Sequence, residues 1–254
     1  MKRCRLAYAL AALLVLALPA ACLAAGLWVE VPSAASSDQF GNVLMNRLSQ
    51  KHGQPWVMFS HWTHRTRYTC RVCHLELGFE MRVNSTEITE EKNRRGEFCG
   101  ACHNGTAAFG HTEEHCGACH SGDLAFVSEK FKDLSGLPSA RFGNRIDWTA
   151  AMDRKLISPA QSLFDKGYSP VPFGNPLYFD SVVTSMPDAF FPHQAHIQWL
   201  DCANCHPDIF TIKQKKTDHL SMEHFLQGKF CGVCHLTVAF PINDCVRCHP
   251  KERR

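Results

Sequence analysis

The stretch FCGACHNGTAAFGHTEEHCGACH, residues 98–120, twice sets down two cysteines three positions apart with a histidine directly after the second. The same trio occurs at Cys70/Cys73/His74, Cys99/Cys102/His103, Cys116/Cys119/His120, Cys202/Cys205/His206, Cys231/Cys234/His235 and Cys245/Cys248/His249. These six trios use 12 of the 14 cysteines, and the other two, Cys4 and Cys22, lie in the first 25 residues.

A cysteine pair can form a disulfide, a metal knuckle or a covalent attachment point. Neither a disulfide framework nor a zinc ribbon needs a histidine after every second cysteine. Covalent heme attachment needs all three residues. Cysteines at i and i+3 lie on one face of a helical turn, so both thiols can form thioethers with one porphyrin. The histidine at i+4 shares that face and can reach the iron as proximal ligand. Six covalently bound hemes c are therefore expected. Their thioethers come from Cys70, Cys73, Cys99, Cys102, Cys116, Cys119, Cys202, Cys205, Cys231, Cys234, Cys245 and Cys248. Their proximal ligands are His74, His103, His120, His206, His235 and His249. Gly and Ala between the cysteines are expected to keep the macrocycle edge uncluttered.

The N-terminus accounts for the two stray cysteines. Lys2, Arg3 and Arg5 precede an apolar run from Leu6 to Leu18, which is short for a bilayer span, and Pro19 and a small-residue stretch follow. This layout predicts a secretory signal peptide over 1–25, cleaved near Ala24 or Ala25. The alternative is a lipoprotein signal acylated at Cys22, the one route to a membrane in this reading. Removing Lys2, Arg3 and Arg5 from 27 basic residues leaves 24 against 24 acidic ones. No basic stripe suggests nucleic acid.

The chain is also internally duplicated. An offset of 132 carries His61, His64, Cys70, Cys73, Cys99 and Cys102 onto His193, His196, Cys202, Cys205, Cys231 and Cys234. The third trio is offset by 129, and Gly96/Gly228 and Phe98/Phe230 correspond as well. Phe109 and Phe240 follow their trios at nearly the same distance. The expected organisation is an N-terminal extension over 26–56, a triheme domain over 57–121, a heme-free semi-ordered connector over 122–188 and a second triheme domain over 189–254. In the extension, Asp38 to Gly53 predicts an amphipathic helix with Phe40, Val43, Leu44 and Leu48 on one face. In the connector, Asp147 is expected to cap a helix carrying Trp148, Met152 and Leu156. Ser158-Pro159 is expected to open a second helix that stops at Gly167.

Each copy, beginning Phe59-Ser-His-Trp-Thr-His64 and Phe191-Pro-His-Gln-Ala-His196, resembles the triheme cytochrome c7-type domain. The likeness covers about half of the chain. It implies a mostly coil fold with short α-helices and little or no β-sheet, wrapped around closely packed, mostly bis-histidine hemes. It also implies low-potential electron transfer. The family's arrangement assigns His61 to the Cys70/Cys73 heme and His64 to the Cys99/Cys102 heme. In the second copy it assigns His193 to the Cys202/Cys205 heme and His196 to the Cys231/Cys234 heme. The family's third distal histidine falls shortly before the second trio. His224 sits there in the second copy, with His219 and Met222 as rivals. The first copy departs from the pattern, with Lys92 at that place. His111 is the first choice there, and His115 and His52 are the alternatives.

With under about 40 residues per heme, the porphyrins themselves must supply much of the buried apolar surface. The expected function is that of an exported hexaheme cytochrome, periplasmic or otherwise at the cell envelope of an anaerobically respiring bacterium. It would pass single electrons between redox partners such as other cytochromes or quinol-linked reductases. The alternatives are a multiheme reductase with one open iron and a subunit of a conductive filament or conduit.

Overall fold

A computed structural model describes residues 35–181, 185–211 and 220–251. The expected signal segment, Cys4, Cys22 and His219 lie outside the described residues. Short elements separated by coil make up the chain. β1 (Asn42–Met45) pairs antiparallel with β2 (Val57–Ser60), in register Asn42 to Ser60. β2 runs directly into α1 (His61–Arg65). The remaining elements of the first copy are α2 (Glu90–Arg94) and α3 (Cys116–Cys119), with 3-10 turns between them. The connector holds a 3-10 run over Ser128–Leu134 and α4 (Trp148–Asp153).

At the end of the connector β3 (Leu177–Phe179) pairs antiparallel with β4 (Ala189–Phe191) of the second copy, and β4 feeds α5 (His193–Ile197) as β2 feeds α1. α6 (Met222–Leu226), α7 (Gly232–His235) and α8 (Cys245–Cys248) follow. The mostly coil, weakly sheeted fold matches the expectation. Helices this short have no stability of their own in water, so tertiary contacts must hold them.

The helix expected over Asp38 to Gly53 does not form. Gly41 takes φ +88°, a left-handed conformation that breaks a helix near its start. Beyond it the backbone satisfies itself by laddering with β2, and Phe40 turns into the interior at 7% exposure. The connector helix at Trp148 forms under the expected cap, with the Asp147 carboxylate accepting from the Ala150 N–H at 3.0 Å. It ends at Asp153, so Leu156 lies past it and is exposed. The second connector helix is absent. Instead, Ala160 bridges the first copy, its N–H donating to Arg67 O at 2.8 Å while its carbonyl accepts from Thr69 N–H at 3.0 Å. The Ser162 hydroxyl is spent on the Glu76 carboxylate. Inter-segment pairing has overridden a local helix signal.

The connector packs on both copies. Arg71 of the first copy donates its backbone N–H to Trp199 O at 3.0 Å and its guanidinium to Gln161 O, and it lies 3.8 Å from the Tyr168 ring centre. The same guanidinium pairs with Glu76 and, at 3.4 Å, with Asp201 of the second copy. The first attachment turns of the two copies, around Val72–Glu76 and Cys202–Asn204, are therefore neighbours.

Among the described residues the buried apolar side chains are Phe40, Met58, Trp62, Val72, Ala151 and Trp199. Six such residues are too few to hold a chain of this length together as a conventional core. Trp62, the largest of those under 2–3% exposed, fixes α1 by donating Nε1–H to Asp38 O at 2.9 Å and meeting Phe131 edge-on.

Candidate heme-binding sites

Each Cys-x-x-Cys-His trio closes into one helical turn. The histidine N–H donates to the carbonyl of the first cysteine in five of them: His103 to Cys99, His120 to Cys116, His206 to Cys202, His235 to Cys231 and His249 to Cys245, at 2.8–3.0 Å. That bond stacks the histidine over the first thiol. Burial pushes the Cys73 and Cys234 thiols up to about 12. It pushes those of Cys99, Cys205, Cys231 and Cys248 up to about 11. Such thiols are poor thiolate ligands or nucleophiles. Among the described residues no cysteines are joined as disulfides and no three of His, Cys, Asp or Glu converge on a metal position.

The imidazoles are held in one way throughout. Four proximal candidates direct Nδ1 at a phenylalanine carbonyl: His74 at Phe79, His103 at Phe109, His206 at Phe210 and His235 at Phe240, at 2.7–3.2 Å. The third histidine of each copy reaches a proline carbonyl just ahead of the sheet, His120 to Pro55 at 2.8 Å and His249 to Pro187 at 2.7 Å. The distal candidates follow suit: His61 to Gly41, His64 to Ser60, His193 to Asn175 and His196 to Pro192, at 2.8–2.9 Å. A carbonyl can only accept, so Nδ1 carries the proton and Nε2 presents its lone pair. This second contact orients a metal-ligating histidine and raises its basicity. Burial pushes His61 down to about 3 and His235 down to about 4, and it lowers His64, His74 and His196 as well. These rings are neutral at ordinary pH, the form that binds metal.

Three pairs face each other. His61 and His74 have ring centres 6.4 Å apart with planes inclined by 7°. His64 and His103 are 6.2 Å apart at 52°, and His196 and His235 are 6.1 Å apart at 68°. Two imidazoles bonding one metal from opposite sides through bonds of about 2 Å have ring centres about 6 Å apart. Rotation about the metal–nitrogen axis is free, so the plane angle does not matter. The centre-to-centre distances match that spacing in each case, and the residue types present fit the group.

The third site of each copy is built differently. His224 sits on α6 behind its Ser221 cap, with Oγ of Ser221 3.3 Å from Nδ1. Lys92 occupies the same place on α2 behind Thr89, and each lies near the matching ring, Phe98 or Phe230. His111 gives its carbonyl to Arg94, and burial lowers the pKa of His103, with His111 a minor contributor. His115 is tied through Nδ1 to Thr112 Oγ at 2.7 Å. His52 is exposed on a 3-10 turn.

The glycine in Cys99-Gly-Ala-Cys102 also meets a steric demand that sequence reasoning missed. A Cβ at Gly100 would stand 1.8 Å from Asn93 O, and one at Gly232 would stand 2.0 Å from Phe225 O. The missing side chain lets α2 and α6 end against the attachment turns. Gly117 has open space around it. Gly100→Ala is expected to lower the midpoint of guanidinium unfolding by the equivalent of about 1–3 kcal/mol or more, and Gly117→Ala to leave it unchanged.

The anchoring carbonyls of Gly41, Pro55, Asn175 and Pro187 were not visible to sequence reasoning. Phe109 and Phe240, at nearly matched distances after their trios, were a partial signal. The spacing of the rings and the repeated attachment turns define a multiheme c-type cytochrome, a heme-binding electron-transfer protein. A family model described as cytochrome c7 and related cytochrome c matches residues 57–126 and 189–250, just over half of the chain. The chain belongs to that family. Among solved structures, it is 26% identical to the C-terminal hexaheme fragment of GSU1996, covering 82% of this chain and 96% of that one, with a TM-score of 0.28. The dodecaheme cytochrome c GSU1996 is 22% identical, with coverages of 84% and 75% and a TM-score of 0.27. Its N-terminal hexaheme fragment is 24% identical, with coverages of 84% and 99% and a TM-score of 0.27. No curated protein matches. Among the described residues no helix is long and apolar enough to cross a membrane.

Proposed function

We propose that this chain is an exported hexaheme cytochrome that passes single electrons between redox protein partners at a bacterial cell envelope. Other cytochromes or quinol-linked reductases would serve as those partners. The observation that carries the reading is the set of facing imidazole pairs, each with Nδ1 tied to a carbonyl and Nε2 left for iron. Heme c, when bound, supplies a one-electron couple at its iron. The chain's contribution is to hold and orient it. The twelve trio cysteines make the thioethers, and His74, His103, His120, His206, His235 and His249 are the proximal ligands. His61, His64, His193 and His196 are distal ligands in the order the family implies, with His224 for the Cys245/Cys248 heme and His111 for the Cys116/Cys119 heme. Iron with two protein ligands has no open position for substrate, which favours a carrier over a reductase. The two triheme domains extend over 57–121 and 189–254.

Intact-mass spectrometry of the mature protein tests this directly. The expected mass is that of a chain starting near Gly26 with six covalent hemes. Four or fewer hemes would overturn the assignment, and a diacylated N-terminal Cys22 would move the protein to a membrane surface.

A further inference from the structure

Three arginines join the copies to each other or to the connector, and they differ in one respect. Arg71 is neutralised by Glu76 and Asp201. Arg247 is neutralised by Asp244 at 2.7 Å, with Asp147 at 3.9 Å. Arg65, the last residue of α1, has no carboxylate partner among the described residues. Its guanidinium donates to Val238 O of the second copy at 3.0 Å. It lies between two indoles, 5.1 Å from the Trp148 ring centre and 5.8 Å from that of Trp199. Trp148 belongs to the connector and Trp199 to the second copy, so all three segments enclose the cation. Its partner Val238 in turn donates its N–H to Cys234 O at 3.0 Å, next to the attachment turn of the second copy. The Cys70 and Cys234 sulfurs are charge neighbours of Arg65, and His61 and His235 feel its charge as well. Cys205 is a neighbour of Cys70 and Cys234. The duplication does not repeat this residue, because the equivalent of Arg65 in the second copy is Ile197.

Arg65 is half-buried, and two tryptophan rings and one carbonyl hold its guanidinium in place. A fixed positive charge favours any neighbouring centre that gains an electron. Acting across about 10 Å at an effective dielectric of about 20, it shifts a one-electron equilibrium by roughly tenfold. We propose that Arg65 is a positioning residue that raises the midpoint potential of the hemes attached at Cys70/Cys73 and Cys231/Cys234, making the junction between the copies the place where an electron rests. The change is the addition of one electron to ferric iron, supplied by the reductant, with no bond made or broken. The proposal rests on the heme assignment above.

The test is a spectroelectrochemical titration of the full-length holoprotein, with dithionite as reductant, on wild type, Arg65→Lys, Arg65→Gln and Arg65→Met. Pyridine hemochrome counts are taken on every sample. A wild-type count of four or fewer would defeat the heme assignment rather than this proposal. With six hemes retained, Arg65→Met and Arg65→Gln are expected to lower the reduced-to-oxidised ratio at the high-potential end about tenfold at fixed potential, about 59 mV for one electron. Arg65→Lys, which keeps the charge, is expected to titrate like wild type. Arg65→Gln keeps a donor for Val238 O and is read if Arg65→Met loses heme. Unchanged titration of the neutral variants would overturn the proposal. So would an Arg65→Lys variant that falls as far as they do, which would assign the effect to packing alone.

Discussion

A chain in which Cys202 and Cys205 are both alanine is expected to carry one heme fewer and to lose the ordered structure of the second copy. The described protein buries six apolar side chains, so the heme surfaces must complete the interior. Removing one takes away far more buried area than truncating a core leucine, which already costs up to about 5 kcal/mol. The damage is expected to be directional. The Cys202–Asn204 turn is held by Asp201, which accepts from Ala203 N–H and, with Asn204, closes a reciprocal cap. Asp201 also takes the Arg71 guanidinium and the Tyr168 hydroxyl. Hydrogen exchange should therefore show loss of protection through 189–250 and at Arg71 and Tyr168, with β1 and β2 retained. Protection equal to wild type in the second copy would show that the polypeptide alone supports that fold.

Opening a single iron is the second large effect. His61→Ala removes one ring of the pair separated by 6.4 Å and the ring's tie to Gly41 O. The expected outcome is one heme converted from low to high spin, able to bind CO when reduced, with the heme count unchanged. A vacant axial position admits exogenous ligands, whereas two protein ligands exclude them. His111→Ala is expected to give the same signature at the Cys116/Cys119 heme. Because Lys92 stands where His224 stands in the other copy, that heme is expected to be the odd one of the six. If the His61→Ala spectrum stays entirely low spin and does not respond to CO, His61 is not an iron ligand. The same result for His111→Ala would direct the search to His52, His115 or a neighbouring chain.

Local chemistry was legible in the residues. A Cys-x-x-Cys-His trio works through one helical turn, and a turn is set by the residues within it, so the attachment turns could be read directly. The same holds for the Asp147 cap, whose carboxylate meets an N–H three residues on. The repeat was legible too, because an offset of 132 is a property of the string. The pairing of α1 with particular trios came from a family resemblance, and in the structure the ring centres of those pairs lie 6.4 and 6.2 Å apart.

What failed were local signals with a distant competitor. Asp38 to Gly53 has a helical face, but Gly41 and the β2 ladder, 12 or more residues away, offered the backbone a better partner. Ser158-Pro159 looked like a helix start, but Ala160 found Arg67 and Thr69 across some 90 positions. The glycines at Gly100 and Gly232 were read for the macrocycle alone, and the close approach of helices α2 and α6 was missed.

By itself, the sequence determined that this protein attaches heme and that its attachment trios fall in two related sets, because covalent attachment depends on residue identity at fixed short spacing. Only the tertiary structure decided which carbonyl holds each imidazole, how the copies meet across Arg71 and Asp201, and that Arg65 lies near Trp148 and Trp199 with no carboxylate partner among the described residues. Those features join segments tens to more than a hundred residues apart, and no short-range pattern encodes the partner of a backbone carbonyl or the neighbours of a buried charge.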